Sequence, residues 1–189
     1  MKCAKTRDWE VLVNECKKGD ILFFRSSGIV SRLIRFFSPN PPKNKKKYNH
    51  VEMVYAKSGS SVLIISARET AGGEVARALL RRYRFKKNDI KIMRPKYKPT
   101  SKRTNAVKFA LSMDGKKYDY KAIGSKFAGW WKRKFKIKHK DSQNPDKWYC
   151  SELIGEALIK AGFDKSYSEL SPTELNAMPG FKQVLYYEA

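Results

Sequence analysis

The chain has 189 residues, 41% of them hydrophobic and 13% aromatic, which is the composition of a globular protein and not of a disordered one. This length predicts one domain, residues 1–189, that buries about 70% of its unfolded surface. The formal net charge of +23 predicts attraction to polyanions, whether nucleic acid, anionic membrane or acidic cell-wall polymer, or else a solvated basic surface without a specific partner.

The cysteines and histidines argue against a metal site. Cys3, Cys16 and Cys150 are odd in number and widely spaced, and neither His50 nor His139 belongs to a ligand cluster. This pattern also argues against a disulfide framework, so we expect reduced thiols, no metal and no other cofactor. The chain shows no signal-peptide core and no apolar run long enough for a membrane span. We therefore expect a cytoplasmic protein, or one carried in a virion or by a non-classical route.

In the first part of the chain, helical spacing alternates with short apolar runs. These patterns predict helices over residues 5–14 and 28–37 and strands over residues 21–24 and 48–56. Prolines and lysines make residues 38–49 a basic insertion without regular structure. Because side chains alternate along a strand, His50 and Glu52 lie on one face.

The second part of the chain continues with strands and then becomes helical. The patterns predict strands over residues 61–67, 89–94 and 184–187, the last an edge strand, and helices over residues 100–113 and 150–161, with a further helix entered at Ser171-Pro172. Residues 74–83 fit either a strand end or a short helix, and residues 125–147 form a second basic insertion. The sum is an α+β domain with an antiparallel sheet and helices packed to one side.

Cys150 is the first candidate for chemistry, because it opens a predicted helix that Gly162 ends. A thiol at this position faces unpaired backbone N–H groups and the positive end of the helix dipole, which stabilise negative charge on sulfur. Such an environment suits a nucleophile, although a free cysteine is as often a small buried apolar residue. The backbone N–H of Cys150 or Ser151 would help to bind an oxyanion, with Tyr149 as a supporting residue.

A nucleophilic cysteine needs a histidine and a polar group that orients the imidazole. His50 opens a strand, where the backbone is rigid, whereas His139 lies among lysines and is expected on the surface. Glu52 shares a strand face with His50, and Ser66 and Glu69 are on or just after the next strand, so each is a candidate for orienting the ring. The alternative is that His50 is an ordinary strand-end histidine and Glu52 a surface carboxylate.

Residues 127–138 interleave bulky aromatic side chains with cations. This composition suits an anionic membrane interface or single-stranded nucleic acid, and it equally suits an ordinary edge strand protected by lysines. The residues expected to contact an anionic partner are Trp130, Trp131, Lys132, Arg133 and Lys134.

Several motifs occur in an order that resembles a known family, the circularly permuted papain-like hydrolases of the NlpC superfamily, which include YiiX-like proteins and a poxvirus relative. The motifs are Gly19–Phe24, Asn49–Tyr55, Ile64–Ala67, Gly115–Tyr120, Tyr149–Ile154 and Ser171–Leu175. The histidine strand precedes the cysteine helix, which is the permuted order. The resemblance extends over most of the chain.

The resemblance implies a papain-like fold with Cys150 as nucleophile and His50 as base. It also implies an amidase, peptidase, ester hydrolase or acyltransferase that acts on a cell-wall peptide or a lipid. The family usually has a small residue where this chain has Glu52, and its third polar residue falls at Ser66. Glu52 therefore either takes over the orienting role or interferes with it. The alternative to an enzyme is an inactive basic module that binds nucleic acid or an anionic membrane, as a phage or virus component would.

Overall fold

The computed structural model describes residues 4–26, 32, 35, 47–68, 73–96, 101–118, 147–167 and 170–189. Within these residues, nine strands form one sheet and four α-helices pack against it. The strands are β1 Ala4–Thr6, β2 Ile21–Arg25, β3 His50–Ser58, β4 Ser61–Arg68, β5 Glu74–Leu79, β6 Asp89–Pro95, β7 Lys117–Tyr118, β8 Lys147–Trp148 and β9 Phe181–Tyr187. The α-helices are α1 Trp9–Glu15, α2 Ser101–Ser112, α3 Cys150–Lys160 and α4 Pro172–Ala177, and short 3₁₀ helices span Leu80–Tyr83 and Lys165–Tyr167.

The strand order is β1-β9-β6-β2-β3-β4-β5-β7-β8. Neighbouring strands run antiparallel except for β1 with β9 and β7 with β8, the pairs at the two edges, which are parallel. The predicted α+β class is thus confirmed, with a mixed sheet in place of a wholly antiparallel one. No helix in the described part of the chain is both long enough and apolar enough to cross a membrane.

The sheet is buried on both faces. Helices α2, α3 and α4 cover one face in an apolar cluster that includes Phe23 and Val51. Helix α1 covers the other face in a cluster that includes Leu22 and Phe24. The expectation that all helices lie on one side is therefore wrong for α1. The reason is in β2, which is apolar at four successive positions and has to be covered on both faces.

Two predicted elements have different boundaries in the structure. Helix α1 starts only at Trp9, because the Asp8 side chain caps it by accepting from the N–H of Glu10 at 2.8 Å, and the residues before it form β1. The last strand, β9, is longer than predicted and is not an edge strand, because β1 lies outside it. Residues 74–83 contain both of the structures that their pattern allowed, first β5 and then a 3₁₀ helix. Of the predicted helix over residues 28–37, only residues 32 and 35 are described.

A bulge in the β3–β4 hairpin determines which side chains share a face with the histidine. The pairing register shifts between Val54 and Ala56. Beyond the bulge, Met53 pairs with Ile65 and Val54 with Ile64. This register, continued to the next pair, sets Glu52 opposite Ser66 and places Arg68 on the same face of the sheet as Glu52. Without the extra residue, the side chain of Arg68 would point to the opposite face.

Candidate active site

Cys150 is the first residue of α3, as the sequence predicts, and is 7% exposed. The chain that enters the helix is held on both sides of the cysteine. The carboxylate of Glu152 accepts from the backbone N–H of Tyr149 at 3.4 Å, and the Ser151 hydroxyl donates to the carbonyl of Leu170. The first turn of α3, and with it the thiol, is thereby fixed against the segment that precedes α4.

His50 lies between Cys150 and Glu52. Its Nε2 is 3.0 Å from Oε1 of Glu52, and the Cys150 side chain is close enough to raise the pKa of the imidazole. A carboxylate can only accept, so Nε2 carries the proton in the bond to Glu52, and Nδ1 is the nitrogen left to face the sulfur. A fifth of the His50 side chain is exposed to solvent.

The Glu52 carboxylate is fully buried and accepts three hydrogen bonds on Oε1. The donors are Nε2 of His50, Nε of Arg68 at 2.8 Å and the hydroxyl of Tyr83 at 2.9 Å. Arg68 is itself held in place, because its Nη1 donates to the carbonyl of Ala76 at 3.1 Å. Three donors from three parts of the chain leave the carboxylate one orientation.

The electrostatics of the site favour a charged imidazole. Burial alone lowers the pKa of His50, but Cys150 and Glu52 outweigh burial and raise this pKa from 6.5 to about 9. Burial raises the pKa of Glu52, but the hydrogen bond from His50 and the charge of Arg68 outweigh it and hold this pKa at about 2. Burial and the charge of Glu52 raise the pKa of Tyr83 far above its ordinary value, so its hydroxyl keeps the proton that it donates.

Ser66, the other described candidate for orienting the imidazole, is directed at the backbone. Its single hydroxyl proton goes to the carbonyl of Val51 at 2.7 Å. Ser66 thus braces the β3–β4 pairing, and Glu52 is the residue in contact with the histidine ring. The remaining candidates, Glu69, His139 and the basic aromatic residues Trp130, Trp131, Lys132, Arg133 and Lys134, lie outside the described residues.

The sequence did not single out Arg68 or Tyr83, although both contact Glu52. Arg68 has one sequence signal, since it follows Ser66 at the alternation of a strand face. That signal points to Glu52 only because of the bulge in β3, and no local sequence pattern predicts the bulge. Tyr83 comes from a 3₁₀ helix after β5 and has no periodicity that points to the site.

Cys16 provides a contrast within the same chain. It lies in the apolar cluster under α1 and is 1% exposed. Burial and then the negative charge of Asp20 raise its pKa to about 12, so it stays a protonated thiol at neutral pH. Of the two cysteines in the described part of the chain, Cys150 is the one beside a base.

Comparison with known proteins places this arrangement in a family. Residues 15–179 match the model of the C92 family, the permuted papain-like amidase enzymes of the YaeF/YiiX type. The chain belongs to the C92 family. This match confirms the permuted papain-like hydrolase in the resemblance described above. The match supports hydrolysis by a cysteine enzyme as the class of reaction.

The fold of this C92 protein is similar to a solved structure, that of the metalloprotein YiiX from Escherichia coli O157:H7. The two chains are 16% identical, the TM-score is 0.59, and the match covers 90% of this chain and 97% of that one. At this identity the likeness shows the fold alone. No curated protein matches the chain significantly in sequence. Within the described residues, no three His, Cys, Asp or Glu side chains gather as a metal site would require.

Proposed function

We propose that this C92 protein is a cysteine hydrolase that cleaves an amide or ester bond. Cys150 is the nucleophile, His50 transfers the proton and Glu52 orients His50. The observation that supports this proposal is the position of His50, which is hydrogen-bonded to Glu52, has its pKa raised by Cys150 and has a fifth of its side chain exposed. The amidase description of the family agrees with it.

The proposed reaction has two steps. First, Nδ1 of His50 takes the thiol proton, and Sγ of Cys150 attacks the substrate carbonyl carbon and forms a thioester as the bond to the amine or alcohol breaks. The His50 imidazolium gives its Nδ1 proton to that departing group. Second, His50 accepts a proton from water, the resulting hydroxide attacks the thioester carbon, and the C–S bond breaks. The acid leaves and the thiolate–imidazolium pair is restored.

The start of α3 supplies the oxyanion donors in this proposal. The first N–H groups of a helix have no intrahelical acceptor, so those of Cys150 and Ser151 are available to the developing negative charge. If an alcohol or amine replaces water in the second step, the same site is an acyltransferase. We expect the substrate to be a cell-wall peptide or a lipid with negative charge, because the chain carries a net charge of +23.

The direct test compares wild type with Cys150→Ala on two panels, one of wall-derived peptide amides and one of acyl-lipid esters. Loss of all turnover in the variant, with an unchanged circular dichroism spectrum, would support the assignment. Equal rates in the two proteins would rule it out. The panel that is cleaved by wild type identifies the bond.

A second candidate function is binding to an anionic membrane, with or without catalysis. Phe85 is 93% exposed, and the guanidinium of Arg84 lies 5.8 Å from the centroid of its ring. The surrounding residues 81–87 include five cations. An exposed aromatic ring among cations suits the lipid headgroup region, where the ring enters the interface and the cations meet anionic lipids.

Co-sedimentation with vesicles containing phosphatidylserine tests this second function. Phe85→Ala should weaken membrane binding, whereas Val11→Ala, at the other described large exposed hydrophobic residue, should not. If the two variants bind vesicles as wild type does while DNA retains the protein in a salt-dependent manner, nucleic acid is the partner and the membrane role is wrong.

A further inference from the structure

A cavity of about 250 Å³ lies at the ends of β2 and β6. Its lining consists of Arg25, Ser26, Arg32, Arg35, Lys87, Asp89 and Ala189. Four of these side chains are cations and one is a carboxylate. The Asp89 carboxylate is already engaged, because Arg25 Nη1 lies 3.8 Å from its Oδ2 and the Tyr186 hydroxyl donates to the same oxygen at 2.6 Å. The side chains of the cavity therefore carry an excess of positive charge.

One arginine is fixed in the cavity wall. Nη1 of Arg35 donates to Oδ1 of Asn49 at 2.9 Å and also to the carbonyl of Ser26, whose own N–H donates to the same Asn49 oxygen at 2.8 Å. Burial and then the charges of Arg25 and Arg32 lower the pKa of Arg35, with Asp89 opposing them. Like charges are held close together here, and a bound anion would offset their repulsion.

The cavity wall is linked to the strand that carries His50, because Arg35 is bound to Asn49. Asn49 directly precedes His50, and Arg25 directly follows Phe24, which pairs with His50 across β2 and β3. The Phe24 and His50 rings are 5.8 Å apart between centroids. Because side chains alternate along β2, Arg25 points to the same face as Phe23, the face on which α3 and its Cys150 pack. An anion in the cavity would lie on the side of the sheet that carries the reactive sulfur.

We propose that this cavity binds a phosphate group of the substrate and so positions the neighbouring acyl bond at Cys150. This inference rests on the proposed hydrolase function and adds a substrate class, a phosphate-bearing amide or ester. The cations come from three stretches of chain and line one cavity. A tetrahedral phosphate presents acceptor oxygens to several of them at once, whereas the two coplanar oxygens of a carboxylate match a single guanidinium fork.

Binding of inorganic phosphate to the Cys150→Ala protein tests the cavity without catalysis. In calorimetry at low salt, adding Arg25→Gln should weaken phosphate binding at least about tenfold, the loss expected for a charge-assisted hydrogen bond. Arg77→Gln is the matched control, because Arg77 is an exposed arginine on β5, paired with Asp114 at 2.7 Å and not part of the cavity lining. Lys87→Gln, on a separate stretch of chain, should weaken binding as Arg25→Gln does. No binding, or equal binding by all variants, would overturn the inference.

Turnover by proteins with Cys150 intact then separates the sources of the phosphate. The substrates are a short-chain water-soluble acyl ester with a phosphate, the same ester without it, and phosphatidic acid vesicles. We expect a lower KM for the phosphate ester than for its phosphate-free analogue, and Arg25→Gln should raise that lower KM about tenfold with little change in kcat. Cleavage confined to the vesicles would assign the phosphate to a lipid headgroup.

The two proposals fail in different ways. Equal KM values for the two soluble esters would overturn the phosphate site and leave Cys150 hydrolysis intact. Phosphate binding that depends on Arg25, without turnover of any substrate, would overturn the hydrolase function and leave the anion site intact.

Discussion

Nε of Arg68 lies 2.8 Å from Oε1 of Glu52, and the two side chains are 3% and 0% exposed. A carboxylate this deeply buried would take up a proton if it had no cation beside it. The hydrogen bond from Nε2 of His50 and the charge of Arg68 together lower the pKa of Glu52 and keep it charged. The orientation and charge of the His50 imidazole therefore depend in part on Arg68, which acts through its contact with Glu52.

Cys150 should react with iodoacetamide at neutral pH well ahead of Cys16. Cys150 lies beside a base, whereas Cys16 is buried with a pKa of about 12. Peptide mass spectrometry after timed labelling measures the two rates in one sample. His50→Ala should slow labelling of Cys150 at least about tenfold while Cys16 is unaffected. If the two thiols of wild type are labelled at the same rate, Cys150 is not an activated nucleophile.

Glu52→Gln should damage both stability and activity. The amide keeps the shape of the side chain but leaves Arg68 buried without a counter-charge, so we expect the free energy of unfolding to fall by about 3 kcal/mol. The imidazole also loses its anionic acceptor, and kcat/KM should fall on the order of 10²-fold. Urea unfolding and steady-state kinetics measure the two effects.

The control for this prediction is Glu10→Gln, which breaks the exposed pair of Glu10 with Arg84, 3.5 Å apart. A pair open to solvent contributes less than about 1 kcal/mol, so this variant should unfold almost as wild type does. Equal losses of stability in the two variants would show that the buried pair has no special role.

The proposed mechanism needs a protonated His50, and the pKa of His50 is raised to about 9. Activity should therefore decline as the pH rises through about 9. An unperturbed histidine would lose its proton near 6.5. In Glu52→Gln, the neutral amide no longer raises the pKa of His50, so the alkaline limb of kcat/KM should move to lower pH. A limb at the same pH in both proteins would show that Glu52 has no part in setting it.

The free energy of unfolding should depend on pH as the pKa shifts of His50 and Glu52 require. The folded pKa of His50 exceeds its unfolded value, so its contribution is complete below 6.5 and is lost as the pH rises through about 9. The folded pKa of Glu52 is depressed, so its contribution is complete above 4.5 and is lost as the pH falls towards about 2. Urea midpoints measured across these two windows should decline at both ends. A flat profile at the acid end would contradict the Glu52 contribution.

Ser66→Ala should cost about 1 kcal/mol of stability, the value of one hydrogen bond to the Val51 carbonyl. Because the hydroxyl is directed at the backbone, kcat/KM should stay close to that of wild type. A drop in kcat/KM as large as that of Glu52→Gln, without a matching loss of stability, would show that Ser66 orients the imidazole after all.

Local patterns were enough to predict that His50 and Glu52 share a strand face and that a helix starts at Cys150. Alternation along β3 is a local property, and it placed Glu52 on the face of His50, where the structure has the two side chains 3.0 Å apart. The helix that starts at Cys150 could also be predicted from local sequence, because its apolar spacing and the glycine after it are both short-range signals. Gly162 does adopt the left-handed conformation that ends the helix, with φ of 87°.

What the sequence could not show depends on long-range pairing. The chain has 41 lysines and arginines, and no pattern tells which of them neutralises a given carboxylate. Arg68 reaches Glu52 only because a bulge shifts the register of β3 against β4. The anion cavity likewise combines Arg25 and Arg35, which no periodicity of the sequence brings together. The edge position predicted for β9 was wrong for the same reason, since β1 pairs with it from the far end of the chain.

The pairing of β1 with β9 sets Ala4 beside Leu185 and Thr6 beside Tyr187. One strand spacing and two residue rises then separate Ala4 from Tyr187, roughly 8 Å. A peptide bridge of about three residues could span this gap and turn the polypeptide into a ring. Cutting the ring between β6 and α2 would yield a polypeptide with Cys150 ahead of His50, the order in unpermuted papain-like enzymes, and would cut none of the strands and helices that carry Cys150, His50 and Glu52.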